Sequence, residues 1–224
     1  MDSPQATPGD KVINILIVDD HPISREGLAI RLSREPDLRV CGEAADVPDA
    51  ISRAAETAPD LAVVDVALKS GSGIDLVKRL RDRFPGIKVL VWSMYQDTLY
   101  ARRALQAGAG GYVNKECAAE VIVGAIRQVA GGGIYLNPDV IQAVLKRAVG
   151  SDGPLPDPTA ALSDRELTVF RLLGEGLDTQ QIAARLHLSP KTVETYRARV
   201  RAKLGVESGS EVLRLAVRWV LENA

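Results

Sequence analysis

Five short apolar runs recur along the first half of the chain, and each is followed by an amphipathic stretch. The runs are "INILIV" (13–18), "LRVCGEA" (38–44), "LAVVDV" (61–66), "KVLVWS" (88–93) and "GGYVNK" (110–115). The stretches after them are 23–34, 47–57, 73–83, 97–107 and 117–130. This alternation limits the fold more than any other feature. A strand–helix repeat builds a parallel sheet, because parallel neighbours need a crossover connection. Runs that are nearly all apolar suit strands covered on both faces. The simplest arrangement is a doubly wound, flavodoxin-like α/β sheet of five strands in the order 2-1-3-4-5. Residues at the carboxyl ends of its strands then gather at one rim.

The alternation stops at "VGSDGPLPDPTA" (149–160), which has three prolines and two glycines. That composition reads as a linker, too rich in Pro and Gly to carry a rigid helix. Four helices should follow, each with a start signal. Ser163 and Glu166 form a capping box with Leu162 and Leu167 as its staple, and Asp178 and Gln181 repeat the pattern. Ser189 precedes Pro190, which suits a first helical position, and Ser208 precedes Glu211. Gly174 and Gly205 are natural helix stops. The expected division is 11–133, a connecting helix and linker over 134–160, and a small all-α unit over 161–224. A chain of 224 residues is long enough for two modest domains.

The first run ends in chemistry. "INILIVDDH" carries apolar residues straight into Asp19 and Asp20. Adjacent carboxylates repel and are costly to desolvate, so a positive partner is required. Asp65 lies near the end of the third strand, beside the first in the expected order. Ser93 ends the fourth and Lys115 the fifth. Three acids, a hydroxyl and an ammonium therefore converge on one rim, and hard oxygen donors of this kind suit Mg²⁺. One Asp after a strand is ordinarily a turn or cap residue. The complete set, each member at its strand end, is far more specific.

Composition excludes several functions. The formal net charge is -1, so any nucleic-acid surface must be local. Cys41 and Cys117 lack metal or redox spacing and read as reduced thiols of a cytoplasmic protein. "MDSPQATPGD" has no basic and apolar leader pattern, and no run reaches the roughly 18 apolar residues of a membrane span.

A local surface is present in "TQQIAARLHLSPKTVETYRARVRAKL", which reads as helix, short turn, helix. Val193, Tyr196, Val200 and Leu204 recur at helical spacing and should face the core. Lys191, Thr192, Glu194, Thr195 and Ala198 fall on the outward side, where Lys191, Glu194, Thr195 and Ala198 are placed for base edges. Arg197, Arg199, Arg201 and Lys203 flank them and suit phosphates of double-stranded DNA. With Arg185 and Lys191 these make six cations against Glu194 alone.

"LIVDD", "VVDV", "VWS" and "GYVNK" resemble the receiver domain of two-component response regulators. The segment from "LSDRELTVF" to "AKLGV" resembles the LuxR-type helix-turn-helix. Together they resemble a NarL/FixJ-type regulator over nearly the whole chain. The resemblance implies Asp65 as phosphoacceptor and a sensor histidine kinase as donor. It implies Asp20 as direct Mg²⁺ ligand, Asp19 acting largely through water, and the Ala67 carbonyl as a further ligand. Ser93 and Lys115 would bind the phosphoryl group. Tyr112 would be the switch aromatic, turning inward once Ser93 moves. The last helix would dimerise the DNA-binding halves. Lys69 departs from the family, which commonly has proline there. The receiver is expected to rest against the other half and to cover part of helix 190–204 until phosphorylation releases it.

Three other readings are weaker. A phosphohydrolase built on Asp65 would need a general acid two residues on, where Ala67 stands. A ligand-sensing regulator would need a pocket that 4% aromatic residues hardly line. A phosphorylation-independent regulator would have no use for a complete Asp-Asp-Asp-Ser-Lys set.

Overall fold

The computed structural model describes residues 12–68, 71–94, 98–138, 140–142 and 158–223. Strands β1 (Ile13–Val18), β2 (Leu38–Ala44), β3 (Leu61–Val64), β4 (Lys88–Ser93) and β5 (Gly111–Asn114) form one sheet. Every pairing is parallel, and the order is β2-β1-β3-β4-β5. The helices between them are α1 (Pro22–Leu32), α2 (Val47–Thr57), α3 (Gly73–Arg83) and α4 (Thr98–Ala107), and α5 (Ala119–Ala130) follows β5.

Successive strand residues point to opposite faces, which divides the apolar runs between two layers. Ile15, Ile17, Leu61, Val63, Leu90 and Val113 pack with Leu28, Leu32, Ile122 and Ile126 of α1 and α5. Leu16, Val18, Ala62, Val64, Val89 and Val91 pack with Ala50, Leu76, Leu80 and Ala104 on the other face. Each such aliphatic side chain contributes about 1.5–3 kcal/mol of burial, so a one-residue slip of register, which would exchange the faces, is strongly disfavoured.

Strand β3 is two residues shorter than expected. After Val64 the Asp65 amide still donates to the Val18 carbonyl at 2.8 Å. The chain then leaves the sheet and forms a small antiparallel hairpin, Ala67–Leu68 against Gly71–Ser72. Gly73 opens α3 directly against this bend: a Cβ there would lie 1.8 Å from the Asp65 carbonyl oxygen, so no other residue fits. Lys69 lies outside the described residues, as does 149–157 of the expected linker. Residues 138 and 140–142 are helical, as expected for the connecting segment.

The second half is all helical. A 3-10 turn, Pro158–Ala161, leads into α6 (Asp164–Gly174), α7 (Thr179–Arg185), α8 (Pro190–Leu204) and α9 (Gly209–Asn223). The capping boxes at Ser163/Glu166 and Asp178/Gln181 are formed, and Ser189 caps α8 with Pro190 first in the helix. The Ser208 hydroxyl accepts from the Glu211 amide at 3.2 Å. Gly205 ends α8 in the left-handed conformation at φ 66°. Gly174 does not act as a stop of this kind. It remains helical because α9 crosses there, where a Cβ would lie 2.4 Å from the Ala216 carbonyl. The left-handed turn falls at Gly176 instead, with φ 87°. Val212, Ala216 and Trp219 of α9 are buried, and Trp219 meets the Phe170 ring edge-on at 6.0 Å.

Candidate functional site

The strand ends deliver the expected acids to one place. Asp19, Asp20 and Asp65 are all nearly inaccessible, at 0%, 5% and 4% exposure. Lys115 reaches between two of them, donating to Asp19 Oδ2 at 2.6 Å and Asp65 Oδ2 at 2.8 Å. Its ammonium also lies 5.0 Å from the Trp92 ring centre. Burial pushes the Asp65 carboxyl up to about 6, against the pull of Lys115, with Asp19 adding repulsion. Burial lowers the affinity of Lys115 for its proton, but Asp65 and Asp19 outweigh it and the net shift is upward.

Once Asp65 is ionised, three carboxylates face one ammonium. Asp20 Oδ1 is buried with no hydrogen-bond donor. The His21 Nδ1 atom is only 2.8 Å away, but it lacks hydrogen-bond alignment. One oxygen from each of Asp19, Asp20 and Asp65 lies, with a His21 nitrogen, within a mutual 4.8 Å. Excess negative charge, an orphaned oxygen and hard donors together fit a small divalent cation. His21 was not anticipated as part of this cluster, although "DDH" places it one residue beyond the acids. The second unanticipated group is Arg25, whose guanidinium donates to the Asp19 carbonyl at 2.6 Å.

Ser93 is fully buried at the end of β4, and its carbonyl accepts from the Lys115 amide at 2.8 Å. The Ala67 amide faces Asp65 Oδ1 at 3.4 Å. Tyr112 is only 1% exposed and packs in the α2/α3/α4 layer.

The second half docks on this rim through α6. Arg103 of α4 donates to Asp164 Oδ1 (2.9 Å), the Leu162 carbonyl (2.9 Å) and the Thr159 carbonyl (2.8 Å). The hydroxyls of Tyr100 and Thr168 pair at 3.0 Å in a buried contact. In the hairpin after Asp65, Ser72 donates to Asp164 Oδ2 at 3.2 Å, and the Leu68 carbonyl accepts from Arg165. His187, in the turn before α8, stacks at a tilt on His21 with centroids 5.5 Å apart.

Helix α8 is not covered as expected. Lys191, Glu194, Thr195, Ala198, Arg199, Arg201 and Lys203 are exposed, and Thr192 and Arg197 are half-buried. The physical reason is that α6 carries the complementary groups for α4 and the hairpin, so the docking face lies on α6. Two outward cations of α8 are already engaged. Arg197 donates to the Thr179 hydroxyl at 2.6 Å and to Glu194 at 3.0 Å. Lys203 pairs with the buried Glu166 at 2.6 Å, tying the end of α8 to the start of α6. Burial would raise Glu166, but Lys203 and Ser163 hold it below the usual carboxylate range. Thr192 is spent on the Ser189 cap.

A five-stranded 2-1-3-4-5 sheet with an acidic pocket, joined to a capped helix-turn-helix, defines a response regulator of the DNA-binding class. The family model "Response regulator receiver domain" matches residues 15–127, and "Bacterial regulatory proteins, luxR family" matches residues 160–216. The chain belongs to this family and is a DNA-binding transcription regulator. It is 37% identical over 196 residues to the DNA-binding transcriptional activator DevR/DosR of Mycobacterium tuberculosis, covering 88% of this chain and 90% of that one. It is 36% identical over 215 residues to response regulator GacA of Pseudomonas aeruginosa, covering 95% and 99%. Among solved structures it resembles RcsB of Salmonella enterica serovar Typhimurium bound to promoter rprA with the phosphomimetic BeF3-. That match has TM-score 0.60 and 26% identity and covers 91% of this chain and 98% of that one.

Proposed function

We propose that a sensor histidine kinase transfers a phosphoryl group to Asp65 and that the transfer frees the second half to bind promoter DNA as a homodimer. On this reading residues 11–133 receive the signal, 134–160 connect, and 161–224 read DNA, all in the cytoplasm. Among the described residues no helix is long and apolar enough to cross a membrane. The observation that carries the reading is the link between the two sites. The hairpin immediately after the Asp65 carboxylate is gripped by Asp164 and Arg165 of the DNA-binding half.

Asp65 is the nucleophile, held by Lys115 on one side and facing the orphaned Asp20 oxygen on the other. Asp19, Asp20, Asp65 and the carbonyl of Ala67 would hold Mg²⁺, which would neutralise phosphoryl charge as the P–N bond of the kinase's phosphohistidine breaks and the P–O bond to Asp65 forms. Lys115 supplies the second positive charge, and the Ser93 hydroxyl takes a phosphoryl oxygen. Phosphorylation replaces one carboxylate with a group of about -2 charge and several acceptor oxygens. Lys115 and Ser93 turn toward that group, the hairpin strands 67–68 and 71–72 follow, and their contacts with α6 weaken. Tyr112 is the switch aromatic, whose ring repacks once Ser93 moves.

On the DNA side, Lys191, Glu194, Thr195 and Ala198 meet base edges. Arg199 and Arg201 meet phosphates, and Arg197 and Thr192 orient the helix through their own hydrogen bonds. Lys203 contributes to phosphate binding only as far as Glu166 releases it. Leu213, Val217 and Leu221 form an exposed stripe on α9, 45%, 38% and 76% accessible, that suits pairing of two copies. The test is intact mass after incubation with acetyl phosphate and Mg²⁺. The parent chain should gain one phosphoryl group and Asp65→Asn none. Equal labelling of both would refute the assignment.

A further inference from the structure

The Asp20 carboxylate has a buried oxygen, Oδ1, with no hydrogen bond, although His21 Nδ1 lies 2.8 Å from it. The backbone that carries this side chain is held more firmly. The peptide that joins Asp19 to Asp20 is pinned at its oxygen, and the pin is Arg25. From the first turn of α1, Nη1 of Arg25 donates to the Asp19 carbonyl at 2.6 Å. Its Nε donates to Glu43 of β2 at 3.0 Å. The guanidinium is thus held at both ends, and its side chain is only 19% exposed. On the other side of Asp19, the amide donates to the Ala44 carbonyl at 3.1 Å. The main chain entering the acidic pair is therefore tied to the end of β2 twice, directly through Ala44 and indirectly through Arg25 and Glu43.

We infer that Arg25, braced by Glu43, is a positioning residue for divalent-cation binding: it sets the plane of the Asp19–Asp20 peptide and so aims Asp20 into the site. The inference rests on the metal reading given above. Only a planar fork can hold a carboxylate and a carbonyl at fixed separation, so lysine is no substitute. A positive charge this close to the acids would by itself weaken cation binding. Placement and charge therefore predict opposite outcomes, which makes them separable.

The experiment is a magnesium titration of the full chain followed by the fluorescence of Trp92, which lies against Lys115. Trp219→Phe leaves a single reporting tryptophan, since the chain has two. Arg25→Lys, which keeps the charge, should raise the dissociation constant for Mg²⁺ about 10-fold, within the range usual for groups that orient metal ligands. Glu43→Gln should shift it in the same direction by less. The double variant should bind no more weakly than Arg25→Lys alone, because both act through one strut. Glu43→Gln alters an exposed side chain and keeps the test decisive if Arg25→Lys folds poorly. Parental affinity in Arg25→Lys and Glu43→Gln would overturn the inference. So would tighter binding in Arg25→Gln with no change in Arg25→Lys, which would reduce Arg25 to a nearby charge. No magnesium response in the parent chain would overturn the metal reading and the strut with it, a result distinct from a responsive parent with unaffected variants.

Discussion

The two halves carry charge in opposite ways. In the receiver, Asp19, Asp20 and Asp65 are buried together, and Lys115 pairs with Asp19 and Asp65. On α8, Lys191, Thr195, Arg199 and Arg201 stand in solvent. Buried charges interact strongly because water does not screen them, so one added phosphoryl group can shift a balance of several kcal/mol. Exposed charges act weakly one at a time and gain force by summation over a phosphate backbone. The buried half is built to switch and the exposed half to hold. Between them stands α6, whose Asp164 and Arg165 touch the switch while Glu166 anchors the recognition helix through Lys203.

The largest expected effect on DNA affinity comes from breaking that join. Arg103→Ala removes three hydrogen bonds from one partly buried guanidinium, to Leu162 and Asp164 of the DNA-binding half and to Thr159 just before it. Such charge-assisted bonds are worth about 1.5–3 kcal/mol each when isolated. The unphosphorylated variant should bind a promoter fragment at least about 10-fold more tightly than the parent, or about 1.4 kcal/mol. An unchanged titration would mean that the docked arrangement does not restrain DNA binding.

The next effect concerns the cost of burying Asp65. Its carboxyl titrates near 6 in the fold, above the ordinary 3.8. The native chain thus retains a proton that the unfolded chain releases, and stability falls as pH rises between those values. Without metal, Asp65→Asn should stabilise the chain at pH 8 by about 1–3 kcal/mol, and the gain should vanish below about pH 4. Denaturant unfolding at the two pH values measures it. Destabilisation at pH 8 would show that Lys115 more than compensates the buried acid.

The smallest effect separates two cations on one helix. Arg201→Ala should reduce the salt slope of DNA binding by about one unit. Lys203→Ala should change it by much less, because its ammonium is committed to Glu166. Equal changes would show that the pair opens on DNA.

The sheet order and the acidic rim were legible because both follow from local rules. Apolar runs specify buried parallel strands, and the strand ends fix where Asp19, Asp20, Asp65, Ser93 and Lys115 converge. Helix starts were legible because Ser163, Asp178 and Ser189 satisfy backbone amides three residues away. What the sequence hid were relations between distant segments. Nothing in "REG" at 25–27 shows that Arg25 reaches back to the Asp19 carbonyl, since that contact depends on where Glu43 ends up. Gly174 reads as a stop until α9 is seen to cross it. The choice of α6 as the docking face was hidden because α8 carries the more conspicuous charge.

The central claim is that phosphorylation of Asp65 loosens the grip of α6 on the hairpin that follows it. Amide hydrogen exchange of the full chain, with and without acetyl phosphate and Mg²⁺, tests it directly. Segments 66–74 and 164–174 should lose protection together on phosphorylation, and Asp65→Asn should show no change. Unaltered protection in 164–174 in a chain that is fully phosphorylated and binds DNA more tightly would contradict the account.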